Sequence, residues 1–190
     1  MADPTTSSIT TSSLFGERVD HFDEQVDELL EKWRSSPQLG QLFTAASHLG
    51  DFSLIWHLIG VARGLTSDRR AQQALVLSAL LGAESLLVNQ GIKRLFRRER
   101  PTISGDERFE VRTPSTTSFP SGHASSAFFA ATVLSTWGGR RTAPMWFTVA
   151  SVVAVSRAFV RIHHASDVIG GVILGCGLGL IVRPFVRRFR

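Results

Sequence analysis

Apolar positions recur at helical spacing along most of the chain, and no stretch shows the strict alternation of a half-buried strand. Residues 16–34, GERVDHFDEQVDELLEKWR, carry apolar side chains at Val19, Phe22, Val26, Leu29, Leu30 and Trp33, with acidic residues on the opposite face. This predicts an amphipathic helix ended by Ser35-Ser36-Pro37, either packed on the body of the protein or lying at a membrane interface. Five apolar segments follow, near 41–62, 72–92, 121–138, 143–161 and 167–184. All are long enough for helices, but a span needs about 20 mostly apolar residues. The fourth and fifth have charge-free cores of only fifteen residues, TAPMWFTVASVVAVS and VIGGVILGCGLGLIV, and the first two contain Asp51 and Glu84. A soluble all-helical bundle is the alternative. Too little polar surface remains to clothe one. The expected fold is therefore all-α: a membrane helical bundle of about five transmembrane helices plus the N-terminal amphipathic helix. The expected divisions are a disordered tail at 1–15, the amphipathic helix at 16–36 and a membrane-embedded domain at 37–190.

Composition changes this picture little. A chain of 190 residues is enough for one core. The single cysteine, Cys176, cannot form an internal disulfide and reads as a small packing residue. MADPTTSSITTSS lacks the apolar h-region of a cleavable signal and has the composition of a disordered tail. Asp51, Glu84, His48 and His57 lie in apolar segments and need partners inside the bundle.

The net charge of +5 is unevenly spread. KRLFRRERP, residues 93–101, groups Lys93, Arg94, Arg97, Arg98 and Arg100. Such a run could grip nucleic acid, mark a membrane face or bind phosphate. It lacks interleaved recognition elements and sits between apolar segments, so no nucleic-acid partner is expected.

Three motifs carry candidate chemistry. Lys93 is followed after six residues by Arg100-Pro101; Pro120-Ser121-Gly122-His123 opens the third apolar segment; Ser156-Arg157 precedes His163 and Asp167. Lys93, Arg100 and Arg157 are cations suited to phosphate oxygens, Arg as a planar fork and Lys as a point charge. Ser121-Gly122 begins a helix, where backbone N–H groups and the dipole favour an anion. His123 and His163 titrate near neutrality. Asp167, read as one helical turn beyond His163, can accept from one ring nitrogen and leave the other as nucleophile or base. His164, read as lying about 100° round the same helix, falls outside the motif. With antiparallel helices all three motifs meet at one end of the bundle. No carboxylate cluster has the spacing of a magnesium or zinc site, so neither a metal nor a cofactor is expected.

The set K-x6-RP, PSGH and SR-x5-H-x3-D resembles the type 2 phosphatidic acid phosphatases. That superfamily includes glucose-6-phosphatase, bacterial acid phosphatases and vanadium haloperoxidases, and this chain looks like a small bacterial membrane member. The resemblance implies hydrolysis of a lipid phosphate or diphosphate through a phosphohistidine. Candidate substrates are phosphatidic acid, phosphatidylglycerol phosphate and polyprenyl phosphates or diphosphates. It implies His163 as nucleophile, Asp167 as its orienting group and His123 as general acid. Lys93, Arg100, Ser121, Gly122 and Arg157 would hold the phosphate. Arg94, Arg97 and Arg98 fall outside the motifs and read as a solvated or headgroup-facing run. The alternatives are a soluble or peripheral phosphatase or vanadate-dependent peroxidase on the same scaffold, or a lipid-binding or transport protein without catalysis.

Five spans would put 12 Lys and Arg on the catalytic side and 9 on the other, or 9 on each without the three phosphate binders. The opposite clusters, Arg69-Arg70, Arg140-Arg141 and Arg187-Arg188, lie in short loops and an end, which weigh more. The expectation is a bacterial plasma-membrane protein with a cytoplasmic C-terminus and an outward-facing site.

Overall fold

The structure, a computed structural model, describes residues 14–102 and 106–190; residues 1–13 of the expected tail lie outside the described residues. The architecture is all-α: α1 (Glu17–Arg34), α2 (Pro37–Gly50), α3 (Leu54–Gly64), α4 (Asp68–Leu86), α5 (Gly122–Gly138), α6 (Ala143–Phe159) and α7 (Ala165–Val186). Helix α4 runs on through a π turn at Leu87–Gly91 and a tight turn at Ile92–Leu95. Two helical runs are long and apolar enough to cross a membrane, Asp68–Leu95 with 28 residues and Ala165–Phe189 with 25.

Helix α5 is the centre. Its Ala127, Phe129, Ala130, Ala131, Val133 and Leu134 are buried, and it packs against both α6 and α7. Trp56 of α3, Leu77 and Leu81 of α4, and Trp146 and Val153 of α6 complete the core. The contact between α5 and α7 depends on glycines at every fourth position of α7. A Cβ on Gly171 would stand 2.4 Å from the Ser121 carbonyl oxygen, one on Gly175 2.1 Å from that of Ser125, and one on Gly179 2.7 Å from Thr132 Cβ. Without side chains there, the two backbones approach closely, the small-residue packing that serves helices in lipid.

One expectation needs correction and another gains detail. The segment read as one helix over 41–62 is broken at Asp51–Ser53, where Phe52 (φ 51°) and Ser53 (φ 60°) adopt left-handed backbone. Its halves serve different neighbours, α2 packing on α6 and α3 on α4. Hydropathy does not register such a bend, because both halves are apolar. The second concerns α1. Phe22, Leu29 and Trp33 are exposed, and of its apolar residues Leu30 packs on the buried clusters. Helix α1 is fastened chiefly by its charged stripe. Arg34 is buried and donates to the Phe159 and Ala158 carbonyls, Asp27 and Glu31. Arg161 and Arg108 reach the same two acids from the body. Hydrogen bonds from Arg108 and then Arg34 hold the Glu31 carboxyl down to about 2. Burial pushes Asp27 up, but hydrogen bonds from Arg161 and Arg34 outweigh it and keep that carboxyl below its usual range.

Gly175→Ala is expected to force α5 and α7 apart and cost about 1–3 kcal/mol. Gly177→Ala, with nothing within 4 Å of the new Cβ, should be neutral or slightly stabilising. Thermal unfolding in detergent tests the pair, and equal melting temperatures would contradict the close packing.

Candidate active site

The three motifs converge where α5 and α7 begin and α6 ends. The link is direct, since the Ser121 N–H donates to the Asp167 carbonyl at 3.0 Å. Ser121 is the N-cap of α5, and its hydroxyl accepts from Ala124 N. Because the Ser121 N–H is occupied, the donors offered by this helix start are those of Gly122 and His123.

His163 lies in the turn between α6 and α7, 3% exposed. Arg100 Nη1 is 3.3 Å from its Nε2. A guanidinium only donates, so Nε2 is the ring's acceptor and the proton of the neutral ring sits on Nδ1. Nδ1 stands 3.6 Å from Asp167 Oδ2 and 3.4 Å from Ser118 Oγ, while the Ser118 hydroxyl donates to Asp167 Oδ2 at 2.5 Å. The carboxylate therefore acts on the ring partly through Ser118. Burial, and then the charges of Arg100, Lys93 and Arg157, hold His163 well below its ordinary value near 6.5, against the pull of Asp167. These influences favour the neutral imidazole, with Nε2 as its acceptor facing Arg100.

Helix geometry differs here from the sequence expectation. His164 is the N-cap of α7, and Asp167, at N3, accepts from His164 N at 2.9 Å in a capping box. His163 is thus outside the helix. Asp167 reaches it by capping geometry rather than as a neighbour one turn along.

The expected phosphate-binding cations gather around this ring. Arg100 is held by the carbonyls of Ile162 and Thr116 at 2.9 and 3.0 Å. Lys93, 4% exposed, reaches Thr116 Oγ1 at 3.3 Å and the Thr117 carbonyl at 3.4 Å. Arg157 is fully buried, and its Nη1 donates to Ser47 Oγ. Its Nε and Nη2, like Arg100 Nε, are buried without an acceptor among the described residues. Arg157 is close enough for its charge to act on both histidines. His123 Nε2 meets Asp51 Oδ1 at 3.0 Å, which is the consequence of the break after α2. Among the described residues no group of three His, Cys, Asp or Glu stands together as a metal site.

The other polar residues singled out in the apolar segments find partners. Glu84 accepts from Ser125 Oγ, His57 Nδ1 lies 2.9 Å from Ser78 Oγ, and His48 lies 3.8 Å from Asp51.

Sequence reasoning missed Ser118, Ser47, Asp23 and Arg98. Arg98 is a correction: it is not part of a solvated run. Its Nη1 donates to Asp167 Oδ1 at 2.6 Å and Ser166 Oγ at 2.7 Å, and its Nη2 to Asp23 Oδ2 at 2.7 Å. Asp23 also accepts from Ser166 N and Oγ, so α1 is tied to the start of α7. Its only sequence signal was an acid on the polar face of α1 within a chain carrying a separate basic run. Arg94 and Arg97 remain exposed.

Comparison with known proteins puts the chain among helical membrane phosphatases for lipid substrates. Residues 73–190 match the PAP2 superfamily, and the chain belongs to it. It is 37% identical over 147 residues to decaprenylphosphoryl-5-phosphoribose phosphatase of Mycobacterium tuberculosis, covering 75% of this chain and 79% of the relative. It is 29% identical over 168 residues to phosphatidylglycerophosphatase B of Bacillus subtilis, covering 81% and 80%. The crystal structure of a transmembrane PAP2 type phosphatidylglycerolphosphate phosphatase from Bacillus subtilis shares the fold, with a TM-score of 0.72 at 24% identity over 92% of this chain and 89% of that one.

Arg98→Met should leave Asp23 and Asp167 as facing buried carboxylates, and loss of one partner from such a set costs about 3–5 kcal/mol. Asp23→Asn is the milder probe. It should lower kcat about tenfold, ~1.4 kcal/mol, with KM little changed, and speed proteolysis between α1 and α2. Unchanged kcat in Asp23→Asn would sever α1 from the site.

Proposed function

We propose that this protein removes a terminal phosphate from a polyprenyl-type lipid phosphate, through a phosphohistidine on His163. The observation that carries the reading is the fully buried Arg157 guanidinium, with Nε and Nη2 unpartnered among the described residues, near a neutral histidine whose Nε2 is the ring's acceptor. A buried cation without an acceptor is costly, and a bound phosphate group would supply one.

In the proposed reaction Lys93, Arg100, Arg157 and the N–H groups at the start of α5 hold the non-bridging phosphate oxygens. His163 Nε2 attacks phosphorus, and the bond from phosphorus to the lipid oxygen breaks with its electron pair moving to that oxygen. His123, as the imidazolium, gives that oxygen its Nδ1 proton while its Nε2–H stays on Asp51, and so becomes the neutral ring that the second step needs. The ring of His163 becomes cationic as the N–P bond forms, and Asp167 with Ser118 offsets that charge. Water then attacks phosphorus, gives its proton to His123, and the N–P bond breaks, releasing inorganic phosphate and restoring Nε2.

Similarity to the mycobacterial enzyme supports a polyprenyl-linked sugar phosphate as the first substrate to try, with phosphatidylglycerol phosphate second. The proposed topology has five spans, built from the α2–α3 pair, α4, α5, α6 and α7. The exposed Phe22, Leu29 and Trp33 stripe of α1 would rest at the interface. The site faces outward and the C-terminus is cytoplasmic, so a C-terminal fluorescent-protein fusion should fold and fluoresce. A dark fusion on abundant, active protein would reverse the orientation.

The test of activity is phosphate release by the detergent-purified chain. The panel contains a polyprenyl-linked sugar phosphate, phosphatidylglycerol phosphate, phosphatidic acid, a polyprenyl diphosphate and a soluble monoester. His163→Ala should lose at least about 10³-fold, ~4 kcal/mol, and fail to trap labelled phosphate after an acid-free quench. Wild-type turnover in that variant would remove the nucleophile. A second expectation concerns pH. Because neighbouring cations help hold His163 low, activity should persist below pH 6.5 and fall only as the ring protonates. Arg100→Gln removes a cation, so the acid limb of kcat/KM should move up toward 6.5. The readout is the shift between the two enzymes, since substrate titration is common to both; an unmoved limb would contradict the coupling.

A further inference from the structure

The end of the bundle opposite the candidate site contains a cavity of about 440 Å³ between the C-terminal end of α5, the start of α6 and the end of α7. Helix α5 has 17 residues, so the cavity and the site lie roughly 25 Å apart. Arg140, Arg183, Arg187 and Arg190 line it, and no Asp or Glu does. Among the described residues none of these four is in an ion pair, whereas Arg34, Arg98, Arg108 and Arg161 at the other end all are. The Ser135 hydroxyl also lines the cavity and is buried without a partner among the described residues. Four converging cations and a spare hydroxyl call for an anion with several acceptor oxygens.

The wall of the cavity decides what carries that anion. Phe147 lines both this cavity and a second, mainly apolar groove of about 460 Å³ along α6, continued by Val152 and Val155 and flanked by Phe43 of α2. The groove runs from the arginines toward the middle of the bundle. A small soluble anion would use only the cationic part. We propose that the cavity binds the phosphodiester head group of an anionic membrane lipid, with an acyl chain of that lipid in the α6 groove. The site needs only that this end meets a leaflet containing such lipids, and it stands apart from the catalytic reading.

The probe is phosphatidylserine, a phosphodiester that is neither substrate nor product of terminal-phosphate removal. The full chain in neutral detergent is titrated with phosphatidylserine, with phosphatidylcholine and with inorganic phosphate, read by native mass spectrometry and thermal unfolding. Retention of phosphatidylserine over phosphatidylcholine is expected. Arg183→Gln with Arg187→Gln should lower it at least tenfold while turnover of a soluble monoester stays at the wild-type level, which also shows the variant folded. Equal retention of phosphatidylcholine would reduce the cavity to ordinary lipid contact. Equal stabilisation by inorganic phosphate would make it a bare anion site. Retention lost in Arg100→Gln but kept in the double variant would place the lipid in the catalytic end. Each of these three outcomes overturns the proposal. If the double variant does not fold, a photoactivatable phosphatidylserine on wild-type protein decides. Adducts within 147–155 or 183–190 support the site, and adducts confined to the catalytic end overturn it.

Discussion

A carboxylate removed from water must recover from the protein what solvent supplied, and Asp167 does so from several directions. Arg98 donates to one oxygen; Ser118 and the N–H of His164 donate to the other, with His163 nearby. These partners lie in the long loop after α4 and in the turn before α7, so satisfying one buried charge fixes the two against each other and, through Asp23, fixes helix α1. The Asp167 backbone adds α5, by accepting from Ser121. Desolvating such an anion without these partners would cost several kcal/mol. The carboxylate that orients the candidate nucleophile is therefore also the point at which four segments are registered against one another.

That registration is possible because α5 and α7 come unusually close. Glycines 171, 175 and 179 bring the start of α7 against the carbonyls of α5, and the separation between the Ser121 and His163 motifs follows from that approach. In an aqueous core, burial of apolar surface would draw the helices together. In lipid the gain comes from packing and hydrogen bonds instead. The glycine ladder and the Asp167 cluster thus depend on one another: the first permits the contact, and the second gives it a preferred register.

Much of this is legible in the sequence. Helical periodicity gave the elements, and the spacing of Lys93, Arg100, Ser121, His123, Arg157, His163 and Asp167 was enough to place them at one end of the bundle. What escaped was set by irregular backbone. The left-handed turn at Phe52 and Ser53 carries Asp51 to His123, and no hydropathy pattern marks it. Likewise His164 caps α7 rather than lying within it, so the relation of His163 to Asp167 could not be taken from helical spacing. For α1, amphipathicity leaves open which stripe meets the body. Its charged stripe faces arginines of the body and its apolar stripe is exposed, the reverse of the usual helix on a soluble core.

The basic residues show why composition alone could not assign roles. Arg98 and Arg100 are two residues apart in one run, yet Arg98 faces buried acids and Arg100 faces a histidine and carbonyl groups. An arginine with a carboxylate in reach is largely spent as structure, because moving it away would strand a charge. One held by neutral groups keeps its field for a ligand. By that criterion Arg34, Arg98, Arg108 and Arg161 fasten the catalytic end. Arg100 and Arg157 are held by carbonyl and hydroxyl groups, which is what suits them to the proposed phosphate-binding role. Arg140, Arg183, Arg187 and Arg190 at the other end line a cavity with no carboxylate in its wall. The net positive charge of the chain thus divides by available partner, and where buried or cavity-lining arginines lack a carboxylate an anion is the complement they call for.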